Sequence, residues 1–398
     1  MKEGWEYKKL GEVCRIERGG SPRPIKDFIT NSPDGLNWIK IGDTDPQGKY
    51  IYSTKEKIKP EGLRKSRWVE VDEFLLSNSM SFGRPYILKT NGCIHDGWLV
   101  LRDYQNSLII DYFYYLLISP HVQNQFRTKA QGSTVSNLNT DRVADVNIAF
   151  PPLSEQQSIV DYLDSAFAKI DAMKANAEKA LNEAKALFQA SLKEMLEPKE
   201  GWDENKLVSL TSKIGSGATP KGGRKVYIDE GCHLIRSMNV QYNEFKYEDL
   251  AHITDEAAEQ LKGVEIQEND VLFNITGASI ARCCVVPTDA LPARVNQHVS
   301  ILRLKQDVLP RFLSYILNSP KHQRELLEIG EAGSTRQALT KTDLENHVIC
   351  YPNIDSQIKL LYTLDSLKSK VDRLQENYNK ISQECDALKQ AILRQVFE

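Results

Sequence analysis

The sequence contains a glycine-rich loop, which could bind phosphate, and seven scattered cysteines, which could bind zinc or form disulfides. Neither has the residue spacing that these sites require. Segment 215–223 reads Gly-Ser-Gly-Ala-Thr-Pro-Lys-Gly-Gly and lacks the terminal Lys-Ser/Thr pair with which a P-loop binds phosphate. The cysteines never form a Cys-x-x-Cys pair, which argues against a zinc site and a disulfide framework. We therefore predict no metal and no cofactor in this chain.

No arrangement of nucleophile and base is evident either. His95 and Asp96 are adjacent, but no serine or cysteine lies in the sequence context of a nucleophile elbow. Pro33-Asp34 is not followed by a Glu-x-Lys at nuclease spacing. We therefore predict that the chain is not an enzyme by itself.

The chain repeats itself at a shift of about 200 residues. Segment 2–5, Lys-Glu-Gly-Trp, returns at 199–202, and the Tyr-Leu-Leu-Ile-Ser-Pro of 115–120 returns as Tyr-Ile-Leu-Asn-Ser-Pro at 315–320. Solenoids need three or more stacked units, whereas only two copies occur here. The pattern predicts a pseudo-dimer within one chain.

Two segments have the periodicity of long amphipathic helices. Segment 154–197 contains neither glycine nor proline, and in both this segment and 354–398 apolar or small residues recur at intervals of three and four. The predicted coiled-coil seam contains Leu163, Ile170, Ala177, Ala184, Leu364, Val371, Leu374, Tyr378, Ile381 and Leu388. Because a long apolar stripe cannot stay in water, we expect the two helices to pair antiparallel. Packing of each helix on its own domain and homodimer formation are the alternatives.

The other segments contain short β-branched and aromatic runs separated by Gly, Pro, Asn and Asp, a pattern typical of strands linked by loops. Helical runs are expected near 111–129 and 310–328. We therefore predict an α+β fold in which two globular domains are joined by two long antiparallel helices, with a pseudo-two-fold internal repeat. The predicted boundaries are 1–153 for the first domain, 154–197 for the first helix, 198–353 for the second domain and 354–398 for the second helix.

Composition sets further limits on the class of protein. The chain has 398 residues and 41% hydrophobic content, enough for ordinary cores. No window approaches the roughly 20 apolar residues of a membrane span, so we expect a cytoplasmic protein without a membrane partner. The net charge of −3 does not by itself indicate nucleic acid, because proteins that neutralise many phosphates usually carry a basic domain.

Several motifs in order carry a family resemblance. They include the Asp-Val-Leu-Phe-Asn-Ile-Thr-Gly run of 270–277, the pair Asn296-Gln297, a repeated Gly-Ser-Thr loop, and the Pro-Pro-Leu-Ser-Glu-Gln-Gln of 151–157 that leads into a long helix. Together they resemble the DNA specificity subunit of Type I restriction-modification systems. The resemblance covers the whole chain.

The resemblance implies two target recognition domains, each of which reads one half of a bipartite double-stranded DNA sequence. It implies that the helices act as a ruler and that the subunit recruits two methyltransferase and two endonuclease subunits without catalysing a reaction. S-adenosylmethionine, ATP and Mg²⁺ would then bind to those partner subunits. The residues expected at the partner interface are Pro151, Pro152, Glu155, Gln156 and Gln357.

Within the resemblance, loop position and side-chain chemistry suggest which residues contact DNA. Arginine pairs bidentately with guanine, and asparagine or glutamine with adenine. Loop residues that contact phosphate or solvent are the alternative for each position. The predicted DNA-binding residues are Ser21, Arg23, Lys40, Ser77, Arg84, Ser133, Thr134, Thr219, Lys221, Arg236, Asn274, Arg282, Asn296, Gln297, Thr335 and Arg336.

A scaffold that bridges two protein partners through its coiled coil, without DNA, also explains the repeat and the helices. The two hypotheses predict different effects of salt on DNA binding. Binding by phosphate neutralisation weakens steeply as salt rises, whereas the scaffold hypothesis predicts no salt-sensitive DNA binding.

Overall fold

A computed structural model describes residues 3–46, 48–78, 83–130, 138–331 and 337–398. The chain divides into two compact units. Unit 1 contains Met1–Ala177 and Asn379–Glu398, and unit 2 contains Glu178–Tyr378. The predicted boundaries set the helices apart from the domains, whereas these units each include one half of each long helix.

Unit 1 combines short strands with a few helices. Its described strands are β1 (Glu6–Lys9), β2 (Arg15–Arg18), β3 (Ile29–Thr30), β4 (Leu36–Ile39), β5 (Tyr50–Ile51), β6 (Glu56–Ile58), β7 (Arg67–Val69), β8 (Phe74–Ser77), β9 (Pro85–Leu88), β10 (Gly92–Ile94), β11 (Trp98–Arg102) and β12 (Asn147–Phe150). Its helices are α1 (Leu10–Val13), α2 (Ile110–Ile118), α3 (Pro120–Ala130), α4 (Thr140–Ala144) and the first part of α5 (Leu153–Met195).

Two five-stranded sheets form the centre of unit 1, in the orders β3-β6-β4-β10-β7 and β2-β11-β8-β9-β5. Strand residues alternate between two faces, so Leu75 packs into the core between the sheets while Leu76 packs toward the helices. That second core also contains Phe113 of α2 and Leu163 of α5. Burial on both faces explains why the first three residues of β8 are apolar, and its last residue, Ser77, is buried as well.

Unit 2 has a similar order of elements. Its strands are β13 (Asp203–Lys206), β14 (Thr211–Ser216), β15 (Tyr227–Ile228), β16 (Cys232–Ile235), β17 (Val240–Gln241), β18 (Glu244–Phe245), β19 (Ala251–Ile253), β20 (Val271–Asn274), β21 (Cys283–Val285), β22 (Ala293–Val295), β23 (Val299–Leu304) and β24 (Val348–Tyr351). Its helices are α6 (Leu207–Leu210), α7 (Asp255–Gln260), α8 (Pro310–Leu317), α9 (Pro320–Glu331), α10 (Lys341–Asn346) and the first part of α11 (Ile354–Phe397).

The sheets of unit 2 have the orders β14-β23-β20-β21 and β15-β19-β16-β22, with β13-β24 and β17-β18 as separate pairs. Strand β20 again faces two cores: Leu272 packs with Ile301 on one side, and Phe273 packs with Phe312 of α8 on the other. The repeat seen in the sequence is therefore a repeat of the fold.

The long helices are antiparallel within each unit. In unit 1, Cys385 Sγ lies 3.8 Å from the carbonyl oxygen of Ile170, and Lys389 Nζ lies 2.5 Å from Asp171 Oδ1. In unit 2, Lys185 Nζ donates to Gln375 Oε1 at 2.7 Å. Later residues of α5 thus meet earlier residues of α11, which confirms the predicted antiparallel pairing.

Most of the predicted seam is covered, with one correction. The residues that are buried or half-buried are Leu163, Ile170, Ala177, Ala184, Leu364, Val371, Leu374, Tyr378 and Ile381. Leu388 was wrongly assigned to the seam, since its side chain is 47% exposed. An ideal α-helix drifts by about 20° per heptad relative to a strict seven-residue repeat. The covered face accordingly passes from Cys385 to Lys389, four residues on, and continues to Leu393 and Phe397.

Within the described residues, no helix combines the length and apolarity that crossing a bilayer requires.

Leu364 and Leu388 provide a matched test of the seam because they lie on the same helix. Leu364 is fully buried in the core of unit 2, so we expect Leu364→Ala to lower the free energy of unfolding by about 2–5 kcal/mol. Leu388→Ala should change it by less than about 0.5 kcal/mol. Urea unfolding followed by circular dichroism measures both, and equal losses would contradict the shifted seam.

Candidate functional site

Five of the polar side chains singled out in the sequence lie together in unit 1, and we call them the first loop cluster: Ser21, Arg23, Lys40, His95 and Asp96. Strands β4 and β10 are parallel neighbours, so Lys40 and the pair His95-Asp96, which follow these strands, emerge at one edge of the sheet. The loop after β2 adds Ser21 and Arg23. With Trp38 they line a surface depression of about 750 Å³.

Asp96 is the hydrogen-bonding centre of the first loop cluster. Ser21 Oγ donates to Asp96 Oδ1 at 2.8 Å, and Arg23 Nη2 lies 3.3 Å from Oδ2. The hydrogen bond from Ser21, supported by the charge of Arg23, holds the pKa of Asp96 below its usual value. The Arg23 side chain is 81% exposed, so this ion pair is weak and the guanidinium stays accessible to a ligand.

Lys40 and His95 have supporting contacts. Lys40 Nζ lies 2.7 Å from Glu56 Oε1. The ring nitrogens of His95 lie 2.8 Å and 3.2 Å from the backbone nitrogens of Gly97 and Ile41. Burial lowers the pKa of His95, so the ring is neutral near neutral pH and has one acceptor nitrogen for these two donors. His95 therefore orders the loop, and Arg23 and Asp96 present charge.

Unit 2 has an equivalent second loop cluster, which contains Thr219, Lys221, Arg236, Asn296 and Gln297. Arg236 and Asn296 follow β16 and β22, which are parallel neighbours like β4 and β10. The hydroxyl of Thr219 donates to Gln297 Oε1, as Ser21 donates to Asp96. Lys221 is exposed, and Arg236 Nη2 donates to the carbonyl oxygen of Asp249.

The backbones of the two clusters are built alike. The amide of Gly20 donates to Ile94 O at 3.1 Å, and that of Ala218 donates to Val295 O at 3.2 Å. A Cβ atom at Gly217 would overlap the carbonyl group of Val295, so only glycine allows this close approach. One loop framework thus presents a carboxylate at Asp96 and an amide in the second copy.

Two predicted DNA-binding residues instead face the interior. Ser77 and Asn274 end the equivalent strands β8 and β20, and both are fully buried. Ser77 Oγ accepts from the Arg84 amide at 3.2 Å, and Asn274 Nδ2 donates to Ser237 O at 2.9 Å and Val240 O at 3.1 Å. These side chains shape the backbone, and in this conformation they do not reach the surface.

Two further predicted arginines, Arg84 and Arg282, are partly exposed beside aromatic rings. The guanidinium of Arg84 lies 5.5 Å from the ring centre of Tyr86. Arg282 lies 5.2 Å from that of Tyr242, and its Nη1 donates to Gln241 Oε1 at 2.7 Å. Arg282 also lines a depression of about 470 Å³, to which His298, next to Gln297 in the second loop cluster, contributes. Both guanidinium groups are held in place without being fully covered.

Ser133, Thr134, Thr335 and Arg336 lie outside the described residues, and their contact with DNA stays a prediction.

Gln156 and Gln357 were predicted to contact a partner. Both side chains are instead buried at the start of the long helices, where each bonds to three backbone groups. Gln156 Oε1 accepts from the Ile109 amide at 3.0 Å, and its Nε2 donates to Ser107 O and Pro151 O at 2.8 and 2.9 Å. Gln357 repeats these three bonds with the equivalent backbone groups of unit 2 at 2.9–3.0 Å. A glutamine amide supplies the acceptor and two donors that this junction needs.

The other predicted partner residues differ in exposure. Pro151 is buried, whereas Pro152 and Glu155 are exposed. Trp5 Nε1 donates to Glu155 Oε1 at 3.3 Å.

A further repeated contact was not assigned from the sequence. The Tyr115 hydroxyl donates to Asp164 Oδ1, and the Tyr315 hydroxyl donates to Asp365 Oδ1 at 2.8 Å. Each bond attaches the helix after the sheet to a long helix. Both members recur in the sequence repeat, so pairing the repeated polar residues could have identified this contact.

Comparisons with known proteins agree on one family. The model of the Type I restriction modification DNA specificity domain matches residues 2–183 and 199–383. The chain is 25% identical to the EcoBI specificity subunit of Escherichia coli, covering 100% of the chain and 86% of that protein. It is 22% identical to the EcoKI specificity subunit of Escherichia coli strain K12, covering 100% and 89%.

Solved structures share the fold. A chain from work on complex assembly and conformational transition of the type I R-M system aligns with a TM-score of 0.76 and 20% identity, covering 99% of this chain and 97% of that one. The HsdS subunit from Thermoanaerobacter tengcongensis aligns with a TM-score of 0.58 and 20% identity, covering 100% and 97%.

Asn274 and Gln297 separate a structural amide from a surface amide. Asn274→Ala removes the donor to two backbone carbonyls, so we expect the free energy of unfolding to fall by about 1–3 kcal/mol. Gln297→Ala, at an exposed position, should change it by less than about 0.5 kcal/mol. Thermal unfolding compares the two variants. A stable Asn274→Ala protein would show that the buried amide is not needed for this turn.

Proposed function

The chain belongs to the Type I restriction-modification DNA specificity family, and we propose that it reads a bipartite DNA target, with unit 1 and unit 2 each contacting one half. The observation that carries the proposal is the pair of loop clusters, which have one backbone design and different side chains. A protein that reads two unlike half-sites needs such a framework.

The chemistry of the clusters fits base recognition. The Asp96 carboxylate only accepts hydrogen bonds and suits the exocyclic amino group of cytosine, whereas Gln297 has both a donor and an acceptor and suits adenine. Arg23 and Lys221 are exposed on the same loops and suit phosphate or guanine. We therefore assign different base preferences to the two clusters.

The family membership also supports a set of partners. We propose that two methyltransferase subunits and two endonuclease subunits assemble on this chain, and that S-adenosylmethionine, ATP and Mg²⁺ bind to those subunits. In this proposal the long helices set the spacing between the half-sites. The subunit itself contributes recognition.

Methylation mapping tests the proposed function directly. We expect deletion of the gene to abolish adenine methylation at one split motif in the genome of its host, and expression of the intact gene to restore it. An unchanged methylation map in a host whose partner subunits are active would contradict the proposal. DNA binding of the assembled complex should also weaken steeply with salt, whereas a bridging scaffold would show no such binding.

Single substitutions in the clusters test which half each unit reads. Asp96→Asn keeps an acceptor for Ser21 but removes the charge, so we expect relaxed base preference in one half of the motif only. Gln297→Glu should act on the other half. A lost bidentate contact is worth about 1–3 kcal/mol of discrimination, which methylation mapping of each variant can detect. A variant that altered both halves would contradict independent reading by the two units.

A further inference from the structure

Unit 2 contains a cluster of nitrogen and oxygen ligands at the junction of helix α9 and strand β24. His322 Nδ1 lies 2.9 Å from His347 Nε2 and 3.7 Å from Glu325 Oε2. Each residue offers one ligand atom within 4.8 Å of the other two. We propose that His322, Glu325 and His347 bind a divalent transition-metal ion such as Zn²⁺.

The spacing of the ligand atoms fits such an ion. Zn²⁺ binds imidazole nitrogen and carboxylate oxygen at about 2.0–2.2 Å in a tetrahedral arrangement, which places neighbouring ligands roughly 3.3 Å apart. The distances of 2.9 and 3.7 Å bracket that value. The ligand atoms of His347 and Glu325 lie within 4.8 Å of each other, so binding one ion requires side-chain movement that brings all three ligand atoms to this spacing.

The surroundings also suit a cation. Both imidazole rings are buried, and a neutral imidazole has a lone pair on one ring nitrogen that can bind a metal. The Glu325 side chain is 42% exposed, which leaves water access for a fourth ligand. Lys321 opposes a cation, and the charge of Glu325 compensates for it.

The internal repeat shows that the fold does not need these residues. In unit 1 the equivalent positions are Val122, Gln125 and Val146, and both valines are fully buried in the core. Gln125 there bonds to the backbone of Asn147, with both bonds at 2.9 Å. An apolar pair and an amide are thus replaced in unit 2 by two imidazoles and a carboxylate, which are metal ligands.

The sequence predicted no metal because it contains no compact ligand motif. His322 and His347 are separated by 25 residues, and only the packing of α9 against the start of β24 brings them together. A bound ion would tie this helix to this strand. The site would therefore stabilise unit 2 rather than take part in base recognition.

Metal binding to the intact chain tests the proposal. After removal of metals with a chelator and dialysis against Zn²⁺, we expect about one tightly bound zinc ion per chain by mass spectrometry, and a higher melting temperature. Co²⁺ in its place should give the visible absorption of a tetrahedral site. Wild-type protein that binds no more zinc than a variant without the three ligands would overturn the proposal.

The repeat supplies a variant that should fold. The triple change His322→Val, Glu325→Gln and His347→Val copies the residues of unit 1, and we expect it to lose the zinc ion and the zinc-dependent rise in melting temperature. His252→Ala, which removes a histidine of unit 2 outside the cluster, should keep both. Equal loss in this control would overturn the assignment to these ligands.

Glu325→Gln alone keeps both buried histidines and so serves if the triple variant does not fold. We expect its zinc affinity to be at least about tenfold weaker, since even supporting residues of metal sites have effects of that size. An unchanged affinity together with an unchanged Co²⁺ spectrum would overturn the role of the carboxylate. These measurements need neither DNA nor partner subunits, so their outcome is independent of the proposed DNA recognition.

Discussion

The structure depends on covering the apolar stripes of two helices that are each more than forty residues long. The helices α5 and α11 span 43 and 44 residues, and neither stripe can remain in water. Each unit solves this by packing half of both helices against its own sheet, with Leu163 and Leu393 in one core and Phe188 and Leu364 in the other. The helices are therefore part of both hydrophobic cores, and a change in either stripe alters the stability of the unit that contains it.

Specific polar contacts fix how each sheet meets the long helices. The side-chain hydrogen bonds of Gln156 and Gln357 satisfy backbone groups that burial would otherwise leave unpaired. The bonds from Tyr115 to Asp164 and from Tyr315 to Asp365 add a second attachment. Because these contacts recur in both units, the sheets hold their loop clusters on the same framework, and exposed side chains can differ without loss of the fold.

The sequence predicted the helices, whose apolar residues recur periodically. It did not predict which way individual polar side chains face. The long helices and their seam follow from apolar spacing. Ser21, Arg23 and Lys40 of the first loop cluster were singled out by their loop positions, whereas Asp96, its hydrogen-bonding centre, was not among the predicted DNA-binding residues. Leu388 failed because a strict heptad does not describe a nearly straight helix. Ser77 and Asn274 failed because a polar residue at a strand end can face either side, and hydrogen-bonding capacity alone does not say which. Gln156 was predicted to contact a partner, but it lies in the first turn of α5 and its amide bonds to backbone groups of the same unit.

The two units differ in sequence both at solvent-exposed positions and at buried positions. These two kinds of difference have different physical explanations. At Asp96 and Gln297 the side chains are in contact with solvent, so substitution costs little stability and can follow the sequence of a ligand. At Val122 and His322 the side chains are buried, and a buried imidazole is stable only when its polar atoms have partners. The hydrogen bond to His347 supplies one partner, but a pair of valines fills the same place without that requirement. A metal ion would bind to the lone pairs of both rings and to the nearby carboxylate. Such an ion would explain why unit 2 has histidines at positions where unit 1 has valines.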